Sequence, residues 1–231
     1  MILYDLVNQK QAHFSPNSWR VRMALAHKGL TYEVRDVLFG DVPRISPTGD
    51  KRTIPTIEHE GRQVTDSWEI VRYLDDAFPN TPRLIADAAH SAESHVLKFF
   101  QYWVQTTLHA GIARLVMLDL HNSLHPDDHA YFRSSREKQV QKTLEAFQAG
   151  RETRVDDFRK ALQPLRLALG HSPFISGEQP GYADYLAFGA FQWARLSSSF
   201  QLLTEDDVIH AWFERCLDLY DGLGRREAAA V

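Results

Sequence analysis

Ser15-Pro16-Asn17-Ser18 is the first point along the chain where residue types and spacing suit chemistry. Serine is a favoured helix N-cap and proline a favoured first helical residue, so the tetrapeptide opens a helix. A helix N-terminus carries unpaired N–H groups and partial positive charge. It favours an anion, and a hydroxyl placed there can donate a hydrogen bond to a thiolate. The tetrapeptide stands where a CxxC motif would stand, with serine replacing both cysteines. Disulfide exchange by the protein itself is excluded there, because a hydroxyl is far too basic to replace a thiolate. The plainer role of Ser15 is to cap the helix and nothing more.

A second candidate is Thr53-Ile54-Pro55-Thr56. A cis proline at this strand start would free the backbone N–H and C=O of Ile54 to pair with an extended, peptide-like ligand. An ordinary trans proline at a sheet edge is the alternative. The third candidate is Asp66-Ser67. Either residue can cap the helix that follows. Together they can also hold a ligand bearing both an ammonium and a carboxylate, with Asp66 facing the ammonium and Ser67 the carboxylate at the helix N-terminus.

The elements that would carry these residues follow from the pattern. Ile2–Leu6 reads as a strand. A helix runs from Ser15-Pro16 with Val21, Ala24, Leu25 and Lys28 on one face and Gly29 as its stop. Thr31–Val37 alternates as a strand. Residues 41–50 are an irregular connection. Thr56–Glu58 and Arg62–Thr65 flank Glu60-Gly61 as a hairpin. Ser67–Phe78 is an amphipathic helix ended by Pro79 and Pro82. The order β-α-β-(α)-β-β-α, with a right-handed parallel crossover first, is that of a thioredoxin-like domain.

Beyond residue 85 the strand signals vanish. Val96, Phe99, Phe100 and Trp103 begin a helical stripe that runs to about Leu118. Further helical stretches are expected over Asp127–Ala149, Val155–Leu169 with a kink at Pro164, Ala183–Leu196 and Glu205–Tyr220, followed by a fraying tail from Glu227. The expected fold class is an α/β thioredoxin-like N-terminal domain (1–83), a linker (84–90) and an all-α helical-bundle C-terminal domain (91–231).

Composition narrows the function classes. The 231 residues carry a net charge of −4 and 44% apolar side chains, enough for a core and against wholesale disorder. Residues 1–83 hold 11 basic and 11 acidic side chains, so the net charge lies wholly in the helical half. Mild acidity argues against a nucleic-acid partner. No window approaches a membrane span, and no secretory leader is read at the N-terminus, so a cytoplasmic protein is expected. The single cysteine, Cys216, rules out an internal disulfide framework and sits on an apolar helical stripe. His121, His125 and His129 are spaced by four, but Pro126 interrupts the run, and no metal is expected.

These segments resemble glutathione S-transferases over essentially the whole chain. FSPNSWRVRMALAHKGL resembles the first helix of serine-type members. TIPTIEHEGRQVTDSWEIVRYLDDAFP resembles their cis-proline, hairpin and acidic-Ser segment, and PFISGEQPGYADYLAFGAFQWA a characteristic helical-domain segment. DHAYFRSSRE, LEAFQAGRE and LTEDDVIHAWFERCLDLYDGLGR are most similar to the bacterial β-etherase branch, which cleaves aryl ethers, and to fungal etherase-like transferases.

The resemblance implies glutathione as cosubstrate, a hydrophobic small-molecule electrophile as acceptor, and a homodimer. It implies that Ser15 stabilises the glutathione thiolate, with Ser18 and Asn17 as runners-up. Ile54 and Pro55 match the cysteinyl-unit site, Asp66 and Ser67 the γ-glutamyl site, and Arg52 a contact to the glycyl carboxylate. Tyr102, Trp103, Thr106 and Met117 are candidates for the acceptor pocket, while Trp19 and Trp68 are read as packing. The chain departs from the family where a Ser or Thr cap usually precedes the buried helical-domain aspartate: Gly181 stands there, ahead of Asp184. Asp184 is read as structural. Glutathione-dependent reductive ether cleavage and non-catalytic binding of glutathione or aromatic ligands are the alternatives.

Overall fold

The computed structural model describes residues 1–45, 53–85 and 91–230. The N-terminal half runs β1 (Ile2–Leu6), α1 (Pro16–His27), β2 (Glu33–Val37), a 3₁₀ turn (Phe39–Asp41), α2 (Val42–Ile45), β3 (Thr56–His59), β4 (Arg62–Thr65) and α3 (Ser67–Ala77). The sheet order is β2-β1-β3-β4, with β1 and β2 parallel and the other neighbours antiparallel. This is the thioredoxin-like order expected from the sequence. Leu3 pairs with Val34 on one side and Ile57 on the other, and both Leu3 and Ile57 are fully buried.

The helical half comprises α4 (Ala92–Trp103), a π-helical turn (Val104–His109), α5 (Ala110–Ser123), α6 (Pro126–Val140), α7 (Leu144–Gln148), α8 (Arg151–Ala161), α9 (Gln163–Leu169), α10 (Tyr182–Ser197) and α11 (Val208–Gly222). Two expected long helices are broken. Gln141 takes a left-handed conformation (φ 57°) and separates α6 from α7, while Leu162 separates α8 from α9 ahead of Pro164. The second break falls at the kink expected near Pro164, whereas the break over residues 141–143 has no proline to announce it and periodicity alone does not register it. Leu84 and Ile85, at the start of the expected linker, are buried with their N–H groups on the Asp75 carboxylate; residues 86–90 lie outside the described part.

One apolar core runs through both halves. Helix α1 joins them: it is buried from Ser18 to Leu25, touching α3 on one side and α10 on the other. Buried ion pairs brace it, Arg22 to Asp5 of β1 and Lys28 to Asp75 of α3, each at 2.7 Å. Asp184 of α10 accepts from the N–H groups of Ile175 (2.8 Å), Ser176 (3.1 Å) and Gly181 (3.0 Å) and from Trp212 Nε1 (2.9 Å). This fully buried carboxylate is satisfied by protein donors, as burial requires. A Cβ on Gly181 would lie 2.6 Å from Ser176 Oγ, so a larger cap does not fit this loop.

The C-terminal tail does not fray as its composition suggests. Glu227 binds His13 Nδ1 (2.8 Å), its carbonyl accepts from Arg195 (2.8 Å), and Ala230 N–H donates to the Arg195 carbonyl (2.9 Å).

Candidate active site

Ser15 caps α1. Its Oγ accepts from Ser18 N–H at 3.3 Å, and Pro16 follows as the first helical residue. An accepted hydrogen bond leaves the hydroxyl proton free to donate elsewhere. Gly189 of α10 makes room for this turn, since a Cβ there would lie 2.3 Å from the Pro16 carbonyl oxygen. The α1–α10 contact therefore sets where the N-terminus of α1 sits.

A cavity of about 1150 Å³ opens over this terminus. Its N-terminal wall includes Phe14, Ser15, Asn17, Phe39, Thr53 and Ile54. Its helical-half wall includes His109, Met117, Tyr131, Phe132, Phe147 and Trp193. Gln105, Arg114, Arg136 and Gln139 also line the helical-half wall, so both walls set polar groups among apolar and aromatic ones, a mixture that can both bind and orient a small molecule. Asp128 of α6, itself buried, ties the walls together by accepting from Phe39 N–H (3.0 Å) and Gly40 N–H (3.3 Å).

The expected site residues fall into distinct places. Ser15, Asn17, Ile54 and Met117 line the cavity. Ser18 does not line it: it is fully buried, with its Oγ unpartnered among the described residues. The Ile54-Pro55 peptide is cis, and Ile54 is buried at the cavity edge. Thr53 bridges from the cavity toward α3: its hydroxyl meets that of Thr65 at 3.0 Å, and Asp66 follows immediately. Asp66 caps α3, accepting from Trp68 N–H (2.9 Å) and Glu69 N–H (3.4 Å), yet the residue remains exposed. Ser67 is buried behind it, where its carbonyl accepts from the Tyr182 hydroxyl at 3.5 Å. Arg52 lies outside the described residues.

Tyr102, Trp103 and Thr106 are not in the cavity wall. Tyr102 is 54% exposed, Trp103 stacks on Phe100, and the Thr106 hydroxyl donates back to the Tyr102 carbonyl at 2.8 Å. The resemblance suggested them only as residues of a helix beside the acceptor pocket. A π-helical turn follows Trp103, and within it Gln105 and His109 line the cavity. His109 stands four and eight positions before Ala113 and Met117, which share the cavity wall, so helical spacing from Met117 was the signal that could have found it. Arg20, one turn beyond Pro16 and fully buried, donates from Nη2 to His109 Nε2 at 3.1 Å. Burial, reinforced by the Arg20 charge, holds the His109 pKa down to about 3.

Other reactive-looking groups lie elsewhere. Cys216 is fully buried, and burial raises its thiol pKa well above the ordinary value. The His121 and His129 rings sit 4.6 Å apart and His125 caps α6, but no cluster of His, Cys, Asp or Glu suited to a metal occurs among the described residues. No helix among those residues is long and apolar enough to cross a membrane.

Comparison with known proteins agrees with this architecture. Residues 11–82 match the model of the glutathione S-transferase N-terminal domain, and residues 96–218, more than half the chain, that of the glutathione S-transferase C-terminal domain. The chain belongs to the cytosolic glutathione S-transferase superfamily. It is similar to the solved structure of glutathione transferase GSTFuA2 from Phanerochaete chrysosporium, with 28% identity, a TM-score of 0.78, and coverage of 99% of this chain and 98% of that one. It is 25% identical to glutathione S-transferase U22 of Arabidopsis thaliana over 88% of this chain and 82% of the relative. A local match to the probable glutathione S-transferase GSTU1 of Oryza sativa subsp. indica is 44% identical, but it spans only 32% of this chain and 33% of that relative.

Proposed function

We propose that this protein conjugates glutathione to hydrophobic electrophiles, with Ser15 donating a hydrogen bond to the glutathione thiolate. The observation that carries the reading is Ser15 itself: it lines the cavity, caps α1, and has its lone pair engaged by Ser18 N–H while its proton stays free. A free thiol has a pKa near 8.5. One hydrogen bond and the helix terminus lower it by roughly one to two units. The thiolate then attacks an electrophilic carbon, and the leaving group departs with its electron pair. Asn17 is the runner-up, because it shares the cavity wall; Ser18 ranks below it for its burial away from the cavity.

In this reading Ile54 and Pro55 pair with the cysteinyl unit, while Asp66 and Ser67 take the γ-glutamyl ammonium and carboxylate. Met117 and the aromatic residues of the helical wall receive the acceptor. The domains divide at residue 83, as the sequence suggests.

A second reading is cleavage of an aryl ether, in which thiolate attack at carbon expels a phenolate. The volume and aromatic walls of the cavity favour a bulky acceptor of this kind. A homodimer is also part of the proposal: Val96, Phe99 and Tyr102, spaced by three on α4, are exposed at 67%, 72% and 54%, and such an apolar stripe suits a second copy of the chain.

The test is calorimetry with glutathione, the ultraviolet thiolate band of the complex, and product identification with paired aryl halides and aryl ethers. Glutathione binding, a thiolate band lost in Ser15→Ala, and a thioether product are expected. Binding without turnover of any electrophile would leave a ligand-binding protein instead. Release of the parent ring with consumption of a second glutathione would mark reductive cleavage.

A further inference from the structure

Arg20 is a fully buried guanidinium whose Nε and Nη1 have no partner among the described residues. A buried cation without a carboxylate at hydrogen-bonding distance is costly and calls for a use. Its one side-chain hydrogen bond among those residues goes to His109 Nε2, at 3.1 Å. Arginine only donates, so Nε2 must be the accepting nitrogen and the imidazole proton must sit on Nδ1. Nδ1 has no hydrogen-bond partner among the described residues, and His109 lines the cavity. His109 also closes the π-helical turn, a rare conformation that often marks functional positions.

We propose that His109 is the hydrogen-bond donor of the acceptor site, presenting Nδ1–H to an oxygen of the electrophile, and that Arg20 is the positioning residue that fixes this tautomer. The substrate class that follows is an apolar, ring-bearing electrophile whose reactive carbon is conjugated to an oxygen acceptor such as a carbonyl. This deepens the transferase reading and rests on it. In the conjugation step the sulfur lone pair forms the S–C bond at the β-carbon, the alkene π pair becomes the double bond between the α-carbon and the carbonyl carbon, and the carbonyl π pair moves onto oxygen to give an enolate. That oxygen is where Nδ1–H is required, and the α-carbon takes its proton from water. His109 keeps its own proton throughout: Arg20 leaves Nε2 no room to become the second protonated nitrogen, so the ring donates a hydrogen bond without acting as an acid.

The experiment uses the full chain with nitrogen-labelled histidine, benzylideneacetone as the carbonyl probe and benzyl bromide as a probe without an acceptor oxygen. Nitrogen NMR is expected to show His109 as the Nδ1–H tautomer, to show that tautomer lost or mixed in Arg20→Gln, and to show the Nδ1–H resonance shifting as benzylideneacetone saturates the protein. In turnover with glutathione, His109→Phe is expected to lower kcat for benzylideneacetone about tenfold more than for benzyl bromide, with His109→Asn recovering most of the difference through its amide N–H. An Nε2–H tautomer, an unmoved resonance at saturation, or equal losses for both probes would overturn the proposal. If wild type turns over neither probe, the tautomer and titration still decide the role of His109, and the aryl halides and aryl ethers decide the transferase reading separately.

Discussion

The Asp128 carboxylate of α6 accepts the Phe39 backbone N–H at 3.0 Å, holding the turn after β2 against the helical half. Phe39, Gly40, Val42 and Pro43 form one wall of the cavity, so a single buried side chain fixes that wall relative to Tyr131 and Phe132 on the other side. Asp128→Ala strands those donors and is expected to cost about 1–3 kcal/mol. The kinetic signature is a raised KM for the acceptor with a much smaller change in KM for glutathione, because Ser15 and Ile54 belong to other segments. Urea denaturation and steady-state kinetics check the two halves of this expectation. Equal increases in both KM values would show that Asp128 supports the whole site and not this wall.

Gly181 and Asp184 show how a departure from a family pattern can be read physically. The aspartate organises the loop before α10, and Ser176 Oγ occupies the space that a cap side chain would need. Gly181→Ser is therefore expected to destabilise the fold by about 1–3 kcal/mol, the usual range for overpacking, despite serine being the better cap in general. The double variant Gly181→Ser with Ser176→Gly removes the clash and recovers most of that loss. Chemical denaturation of the singles and the double gives the coupling. A stabilised Gly181→Ser protein would contradict the close approach.

How much was legible in the sequence depended on what each feature needs. The sheet order and the candidate turns needed only alternation, caps and short connections, and Ser15, Ile54, Pro55 and Asp66 stand at the turns where those signals placed them. The helical wall was less legible, because which side chain faces a cavity depends on helical phase. Of the candidates on this stretch Met117 lines the cavity and Thr106 does not, and Gln105 and His109 stand there instead. Trp193 and Phe132 read as core in any helical wheel, and only the packing of separate helices brings them to the cavity. Arg20 could be recognised as unusual in an apolar stretch, but its partner lies 89 positions away.

Two histidines give the protein opposite pH responses. His109 stays neutral in the fold down to about pH 3, whereas an unfolded histidine takes a proton near pH 6.5. Acidification therefore favours the unfolded chain, and stability falls as pH drops from 6.5 toward 3, by up to about 1.4 kcal/mol per pH unit from this group. His109→Phe is expected to flatten that slope in urea titrations between pH 7 and pH 5, and an unchanged slope would refute the neutral assignment. At His13 burial opposes protonation, but the hydrogen bonds it donates to the Glu227 and Asp36 carboxylates, with the nearby Asp5 charge, outweigh it and raise the pKa. Its contribution is present below the unfolded value and is lost as pH rises through the folded one. His13→Gln should thus cost more stability at pH 6 than at pH 8.

The exposed stripe on α4 makes a simpler prediction. If Val96, Phe99 and Tyr102 face a second copy, Phe99→Asp places a charge in the interface and gives a monomer by sedimentation at concentrations where wild type is a dimer. The folded monomer should keep its thermal unfolding cooperative, since Phe99 is 72% exposed in the single chain. A wild-type protein that sediments as a monomer across the whole range would remove the dimer from the proposal.

Ser15 has a structural and a proposed chemical role, and they can be separated. Its Oγ accepts from Ser18 N–H, which any good cap can do; donating a proton to a thiolate is a property of the hydroxyl. Ser15→Ala loses both and should fall by about 1 kcal/mol in stability as well as in activity. Ser15→Asp keeps the cap, because a carboxylate accepts the same hydrogen bond and suits the helix terminus, so its stability should match wild type closely. It has no proton to give at neutral pH, and its charge repels the sulfur anion. The thiolate band should therefore vanish and turnover fall at least as far as in Ser15→Ala. A Ser15→Asp protein with wild-type turnover would assign Ser15 to capping alone and move the thiolate contact to Asn17, the neighbouring polar side chain on the same wall.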